Sequence, residues 1–286
     1  MYITDNPDAP DAPGFCLRNN AKAHNLNRNF HVTLKDTQIR QTVMSHQRKE
    51  RIVIVGGGFA GMRLCKRLDR SRFDVCLVDR NNFNSFPPLF YQIASSGLTS
   101  ANICFPFRRE FKRIKDTSYH MGHVKDIDVA NHTITTSYET LKYDRLILAA
   151  GSTNNYFGMA NLPEETFGIK TVAEAAHTRD EVLDRLERGA LCQDRERRRQ
   201  LLSFLVVGGG PAGVEIAGAL GEMKKYILAK EYPELEPDDV TITLVEGTGS
   251  LLGAMSRKSR DYALETLEKL LSLIHISEPT RLRCIS

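Results

Sequence analysis

The hydrophobic pattern of the chain contains one arrangement twice. In the first copy, an apolar and β-branched run at 52–55 predicts a strand buried on both faces, followed by a glycine-rich turn and a helical pattern over 59–69. The second copy, at 203–213, repeats the strand, the turn and the start of a helix. The duplication predicts two similar α/β units in one chain.

Both turns have the G-x-G-x-x-G spacing. Its members are Gly56, Gly58 and Gly61 in the first copy and Gly208, Gly210 and Gly213 in the second. In a dinucleotide site, the first glycine permits the tight turn, the second lets backbone N–H groups approach the pyrophosphate, and the third lets the helix pack closely on the strand. The helix N-terminus adds about half a positive charge near the phosphates.

Each copy also has an acidic residue at the end of its next strand. Asp79 ends the strand predicted at 73–79, and Glu246 ends the strand predicted at 240–246. A carboxylate in this position can accept hydrogen bonds from ribose hydroxyls, although it can also be a solvated strand end. Two complete fingerprints predict two bound dinucleotides and electron transfer between two cofactors.

The remaining pattern predicts an α/β fold of two doubly wound Rossmann-type domains. The other predicted elements are an aromatic and proline-rich loop opening into a short helix over 81–94, an amphipathic helix over 105–115, strands near 119–127 and 132–137, a buried strand over 143–151, a helix within 171–200 leading into a solvated charged linker at 194–199, an insertion over 224–239, and a helix over 259–270.

The two ends of the chain are predicted to lie outside the fold. Residues 1–50 are polar and aperiodic, which is typical of disorder or of a spurious upstream extension, with translation starting at Met44. The segment 271–281 resembles an in-frame translation of a sequencing adapter, so we treat 271–286 as an artefact.

Composition excludes several classes of protein. The 286 residues are 41% hydrophobic and 26% charged, with a net charge of +4, which does not favour nucleic acid as a partner. The six cysteines form no C-x-x-C pair, so neither a zinc site nor a disulfide framework is expected. His120 and His123 would point to opposite faces of a strand, so no metal site is predicted there.

Four segments carry a resemblance to a known family. They are Val-Asp-Arg-Asn-Asn at 78–82, Phe-Pro-Pro-Leu-Phe-Tyr-Gln-Ile-Ala at 86–94, Tyr-Asp-Arg-Leu-Ile-Leu-Ala-Ala-Gly-Ser at 143–152, and the second glycine turn with its helix at 206–218. The chain resembles the type II NADH dehydrogenases, single-subunit NADH:quinone oxidoreductases that do not pump protons. The resemblance covers about 51–270, roughly the first half to two-thirds of such an enzyme, and Pro87 departs from the glutamine that the family often has there.

The resemblance implies a role for particular residues. FAD would be bound by Gly56, Gly58, Gly61, Asp79, Arg80, Pro88, Leu89, Ala149, Ala150 and Gly151, and NADH by Gly208, Gly210, Gly213 and Glu246. A carboxylate at Glu246 repels a 2′-phosphate, which favours NADH over NADPH. Glu215 would face the flavin–nicotinamide junction as the catalytic acidic residue, although it could simply complement the helix dipole.

The same resemblance implies domain limits and partners. Residues 51–158 would form the first part of the FAD-binding domain, 159–200 a connecting helix and linker, and 201–270 part of the NADH-binding domain. A hydride would pass from NADH to FAD and electrons would then pass to a membrane quinone, in a cytoplasmic protein peripheral on the inner face of the cell membrane. The membrane contact would use a later C-terminal segment, and a homodimer is left open.

The resemblance implies that both Rossmann-type domains are incomplete on their C-terminal side, because later segments of the family are missing. We therefore expect the 286-residue polypeptide to bind FAD poorly and to lack quinone reductase activity. Two other functions compete with the resemblance. One is a different soluble NAD(P)H-dependent flavoprotein reductase; its disulfide-reducing type needs a redox dithiol, commonly C-x-x-x-x-C, which the sequence lacks. The other is a non-enzymatic, dinucleotide-binding redox sensor.

Overall fold

The computed structural model describes residues 48–156, 158, 162–270 and 273–276. The predicted disordered or extraneous segment 1–50 lies outside the described residues up to residue 47, as does most of 271–286.

The first half of the chain forms a parallel sheet with helices on one face. The strands of this half of the chain are β1 (Glu50–Val55), β2 (Phe73–Asp79), β3 (Phe83–Ser85), β4 (Cys104–Pro106), β5 (Thr117–Met121), β6 (Val124–Asp128), β7 (Thr133–Thr136), β8 (Thr140–Lys142) and β9 (Arg145–Leu148). The helices of this half are α1 (Phe59–Arg67), α2 (Phe90–Ala94), α3 (Ser100–Ile103) and α4 (Phe107–Phe111). A 3-10 turn, Pro87–Leu89, leads into α2. The strand order of the parallel sheet is β5–β2–β1–β9.

Both faces of this sheet are covered because successive side chains of a strand point in opposite directions. Ile52 and Ile54 pack with Phe107 of α4 on one face. On the other face, Val53 and its neighbours pack against the antiparallel sheet β6–β7–β8, which contributes Ile134.

The second half of the chain repeats the parallel arrangement. Its elements are α5 (Leu162–Glu165), α6 (Val172–Leu191), α7 (Arg195–Leu201), β10 (Ser203–Val207), α8 (Pro211–Met223), a π-helical segment (Lys224–Leu228), α9 (Ala229–Glu231), a 3-10 turn (Pro237–Asp239), β11 (Thr241–Glu246), α10 (Arg257–Glu268) and β12 (Leu273–Ile276). The strand order is β10–β11–β12, all parallel. Ile242 and Leu244 are buried beneath the helices, whereas Leu205 and Val207 on β10 are 64% and 75% exposed.

Several predicted elements differ from the observed ones. The amphipathic helix expected over 105–115 is the short helix α4 preceded by β4, because Pro106 stands at the N-cap position of α4. The strand expected near 119–127 is divided at Gly122 and His123 into β5 and β6. The sequence did not predict the strand β8. The strand β12 lies within 271–286, the segment expected to be an artefact outside the fold.

One prediction of burial and one of secondary structure are wrong, although the charged run is exposed as expected except at Arg198. The strand expected to be buried over 143–151 is β9, an edge strand whose Leu148 is 63% exposed. The charged run expected to be a solvated linker is the helix α7, which Asp194 caps by accepting from two backbone N–H groups. Arg198 of that helix is largely buried and forms a 3.3 Å ion pair with Asp239.

Candidate dinucleotide-binding sites

The first glycine turn joins β1 to α1. Gly56 has a φ of +102°, and a Cβ there would overlap the carbonyl of Ala149, so only glycine fits. A Cβ on Gly61 would overlap the carbonyl of Gly56, which shows how closely the helix approaches the turn. A Cβ on Gly58 would meet no atom within 4 Å, so the turn is open on that side.

The second glycine turn, between β10 and α8, has the same construction. Gly208 has a φ of +106°, and a Cβ on Gly213 would overlap the carbonyl of Gly208. Gly210 again has open space where a Cβ would stand. The second and third glycines therefore have equivalent surroundings in the two copies, whereas the first glycines differ, because a Cβ on Gly208 would meet no atom within 4 Å.

The two helices that follow the turns begin without a side-chain cap. Gly58 is the N-cap of α1 and Gly210 is the N-cap of α8, and a glycine has no side chain that could accept from the first N–H groups of the helix. The first N–H groups of a helix have no partner within the helix, so an anion placed there can accept from them. The open side of each turn, together with this uncapped helix start, fits a dinucleotide pyrophosphate.

Asp79 lies beside the first turn at the end of β2. Its Oδ2 accepts a 2.6 Å hydrogen bond from the backbone N–H of Gly57, and its Oδ1 accepts a 2.8 Å bond from that of Asn81. A carboxylate has about four lone-pair positions, so capacity remains for a ribose hydroxyl. Arg80 follows it with an exposed side chain.

Glu246 holds the same position beside the second turn. Its Oε2 accepts a 2.5 Å hydrogen bond from the N–H of Gly209, and its Oε1 accepts a 2.6 Å bond from that of Thr248. Burial tends to raise the pKa of the Glu246 carboxyl, but hydrogen bonds from Thr248, Gly209 and Gly247 outweigh burial and lower it. The group therefore stays ionised to lower pH than a free glutamate.

Gly57 and Gly209 are site residues that the spacing argument missed. Each is the middle glycine of its turn, each donates to the carboxylate, and neither has room for a side chain. The available signal was that both turns contain three glycines in a row, whereas the fingerprint requires only the first and third of these.

Ala149, Ala150 and Gly151 lie next to the first turn. The N–H of Ala149 donates a 2.7 Å hydrogen bond to the carbonyl of Val55, and Gly151 has a φ of +76° with open space around it. The structure thus brings this predicted segment to the end of β1.

Pro88 and Leu89 lie in the 3-10 turn before α2, where Pro88 is exposed and Leu89 is half-buried. The helix α2 packs against α6 and α8, and its Ala94 belongs to the same apolar cluster as Ile216 of α8. Glu215, the neighbour of Ile216, is on an exposed face in the first turns of α8, and partial burial raises the pKa of its carboxyl. The predicted flavin block and the second glycine helix are therefore joined through α2.

The fold and the two turns define a protein of the Rossmann dinucleotide-binding class. The family model of the pyridine nucleotide-disulphide oxidoreductases matches residues 50–279, and the chain belongs to this family.

The chain is similar to several known proteins. The chain is 32% identical over 228 residues to the type II NADH:quinone oxidoreductase Ndh of Mycobacterium tuberculosis, covering 78% of this chain and 49% of that protein. The related NdhA of the same organism is 32% identical over 226 residues, covering 78% and 48%. The structure of NDH2 from Plasmodium falciparum in complex with NADH matches with a TM-score of 0.75 and 26% identity, covering 80% of this chain and 48% of that one. The chain spans about half the length of these relatives.

Two further properties concern only the described part of the chain. No helix there is both long and apolar enough to cross a bilayer. No group of His, Cys, Asp and Glu side chains there has the arrangement of a metal site. The Nδ1 atom of His120 lies 2.7 Å from Oε1 of Glu139.

Proposed function

We propose that this chain carries the FAD-binding and NADH-binding parts of a NADH:quinone oxidoreductase that does not pump protons. The observation that carries the proposal is the repeated arrangement of an open glycine turn with a carboxylate bonded to its middle N–H. The names of the similar proteins support NADH as electron donor and quinone as acceptor.

The first turn would hold FAD. Gly56, Gly58 and Gly61 shape the turn for the pyrophosphate, and Asp79 would accept from the ribose, with Arg80 beside it. The other residues proposed to contact FAD are Pro88, Leu89, Ala149, Ala150 and Gly151. When bound, FAD supplies the redox chemistry, accepting a hydride from NADH and delivering electrons to a quinone.

The second turn would hold NADH. Gly208, Gly210 and Gly213 give it the same shape, and the ionised Glu246 would accept from the adenosine ribose while repelling a 2′-phosphate. Glu215 would position the nicotinamide or hold a proton at its carboxyl, since its raised pKa keeps the neutral form to higher pH than in a free glutamate.

We also propose a cellular setting. A quinone acceptor implies a protein at the membrane surface, and we place it peripherally on the inner face of the cell membrane. A homodimer is a second proposal about assembly. Vesicle co-sedimentation and sedimentation velocity of the full-length protein test them separately.

The cysteines argue against the disulfide-reductase type of flavoprotein. Among the described residues, Cys65, Cys76, Cys104 and Cys192 are free thiols. Burial raises the pKa of the Cys65 thiol to about 11 and also raises that of Cys76, so neither is a thiolate at neutral pH.

The test is steady-state NADH oxidation with menadione, together with the flavin absorbance of the gently purified full-length protein. A yellow protein that reduces menadione is expected. A colourless protein that ignores NADH would overturn the proposal, and a yellow protein without turnover would favour a redox sensor. We expect the 286-residue polypeptide itself to retain little flavin, since the edge strand β9 of the first unit leaves Leu148 63% exposed.

A further inference from the structure

The middle glycine of the first turn lies on the ring of Phe107. This phenylalanine begins α4, and its side chain is fully buried. A Cβ on Gly57 would overlap the Phe107 ring, and the three nearest atoms all belong to that ring. Phe107 is fixed in turn by Tyr119, whose ring centroid lies 5.0 Å away, and by a 3.1 Å backbone hydrogen bond from its N–H to the carbonyl of Asn82.

The middle glycine of the second turn has an equivalent neighbour in Leu251. This leucine follows β11 and is 2% exposed. A Cβ on Gly209 would lie 2.5 Å from its Cδ2. The next residue, Leu252, donates a 2.8 Å backbone hydrogen bond to the carbonyl of Gly209.

Each middle glycine is thus fixed from two sides. A carboxylate accepts from its N–H, and an apolar side chain from a distant part of the chain fills the space where its Cβ would be. A run of three glycines has no side chains of its own with which to pack, so these contacts determine where the turn lies. A binding loop that is already ordered loses less entropy when the ligand binds.

We propose that Phe107 and Leu251 are positioning residues, one for each dinucleotide. Phe107 sets the first glycine turn for the flavin pyrophosphate, and Leu251 sets the second turn for the nicotinamide dinucleotide. The identity of the two ligands rests on the proposed function; the pairing of one apolar residue with each turn rests on the contacts alone.

The first experiment compares Phe107→Leu with Phe111→Leu in the full-length protein. Phe111 is a matched control because it is 6% exposed, lies on the same helix and belongs to the same apolar cluster, whereas Phe107 supplies the ring atoms at Gly57. Titration of the flavin-free protein should show FAD binding about tenfold weaker for Phe107→Leu and within about twofold of wild type for Phe111→Leu. Binding of NAD⁺ should be unchanged in both variants.

The second experiment makes the same comparison in the other turn. Leu251→Ala should weaken NAD⁺ binding about tenfold and leave FAD binding within about twofold of wild type. Leu267→Ala is the control because Leu267 is 3% exposed in the same cluster, whereas Leu251 supplies the atom nearest to a Cβ at Gly209. Thermal unfolding of all four proteins shows how much stability each change removes, so that a general loss of stability is told apart from a loss confined to one ligand.

Two further variants test the same contact from the glycine side, in case Phe107→Leu alone does not fold. Gly57→Ala should weaken FAD binding because its methyl group meets the Phe107 ring, and Gly57→Ala combined with Phe107→Leu should recover part of that loss. The proposal is overturned if Phe107→Leu and Phe111→Leu weaken FAD equally, if each variant affects both ligands equally, or if Gly57→Ala binds FAD like wild type. A wild-type protein that binds neither FAD nor NAD⁺ would instead overturn the proposed function.

Discussion

The carboxylate of Asp79 accepts a 2.6 Å hydrogen bond from the backbone N–H of Gly57, and so links the end of β2 to the turn that follows β1. Glu246 and Gly209 repeat this relationship in the second unit. The acidic residue is therefore part of the turn itself. This structural role differs from both interpretations of the sequence, in which the carboxylate either binds a ribose or is a solvated strand end. Adjacent parallel strands place the two partners together, because their carboxyl ends meet at one edge of the sheet.

Asp79→Asn should loosen the first turn. An amide presents one oxygen and one NH₂ group, so it can no longer accept from both Gly57 and Asn81. We expect a loss of about 1–2 kcal/mol in the free energy of unfolding, measured by urea denaturation of the flavin-free protein, together with weaker FAD binding. Asp74→Asn, on the same strand at the end away from the turn, is the control. Equal losses from both changes would contradict this role for Asp79.

Glu246→Gln should change the preference between nicotinamide dinucleotides. Removing the negative charge removes its repulsion of a 2′-phosphate, and the amide accepts fewer hydrogen bonds from the turn and the ribose. We expect the ratio of kcat/KM for NADH to that for NADPH to fall about tenfold in steady-state assays. An unchanged ratio would mean that Glu246 does not contact the adenosine ribose.

The lowered pKa of Glu246 also predicts a pH dependence of stability. Because the folded-state pKa of Glu246 lies below that of an unperturbed glutamate, about 4.3, this stabilising contribution is fully present above that pH and is lost as the pH falls through the folded-state pKa. Thermal unfolding from pH 3 to pH 7 should show a shallower acid decline for Glu246→Gln than for wild type. Identical slopes would contradict the assignment.

The sequence could predict the two glycine turns because their signal is local. Strand, turn and helix are contiguous at 52–69 and at 203–213, and each glycine has its role within that stretch. Phe107 and Leu251 could not be found in this way, because their contacts with Gly57 and Gly209 depend on how distant segments pack. The residues assigned to FAD and NADH were carried over from a family resemblance, and those assignments remain predictions.

Errors in the remaining elements also have physical causes. The run 194–199 was interpreted as a solvated linker because Asp194 and Glu196 interrupt its arginines. Its charges are exposed except at Arg198, but Asp194 caps a helix there. The strand over 143–151 has the composition of a buried strand, yet β9 lies at the edge of the sheet. The cap is a local signal, since Asp194 accepts from the N–H groups of Glu196 and Arg197, whereas the exposure of β9 depends on neighbours that the local pattern does not contain.

Glu215→Gln should separate catalysis from binding. The side chain is exposed near the start of α8, so its replacement by an isosteric amide should leave FAD content and NAD⁺ binding within about twofold of wild type. Partial burial raises the pKa of this carboxyl, so the carboxylate of wild type is lost at higher pH than in a free glutamate. If the carboxylate acts in turnover, kcat should fall and the acid limb of its pH profile should disappear in the variant. A variant with wild-type kcat at every pH would leave Glu215 with a helix-dipole role only.

Arg198→Ala should destabilise the second unit far more than its charge alone would suggest. Arg198 lies 3.3 Å from Asp239, and their side chains are only 21% and 9% exposed, so removal of the arginine leaves a poorly solvated carboxylate. Arg198 also donates to the carbonyl of Cys192, which ties the start of α7 to the end of α6. We expect a loss of about 2–4 kcal/mol in the free energy of unfolding by urea denaturation.

Arg199→Ala is the matched control, since the side chain of Arg199 is exposed on the same helix. This change should lower the free energy of unfolding by less than about 0.5 kcal/mol. The double variant Arg198→Ala with Asp239→Asn should recover part of the loss because it no longer contains an unpaired buried charge. Similar losses for Arg198→Ala and Arg199→Ala would show that the ion pair does not stabilise the fold.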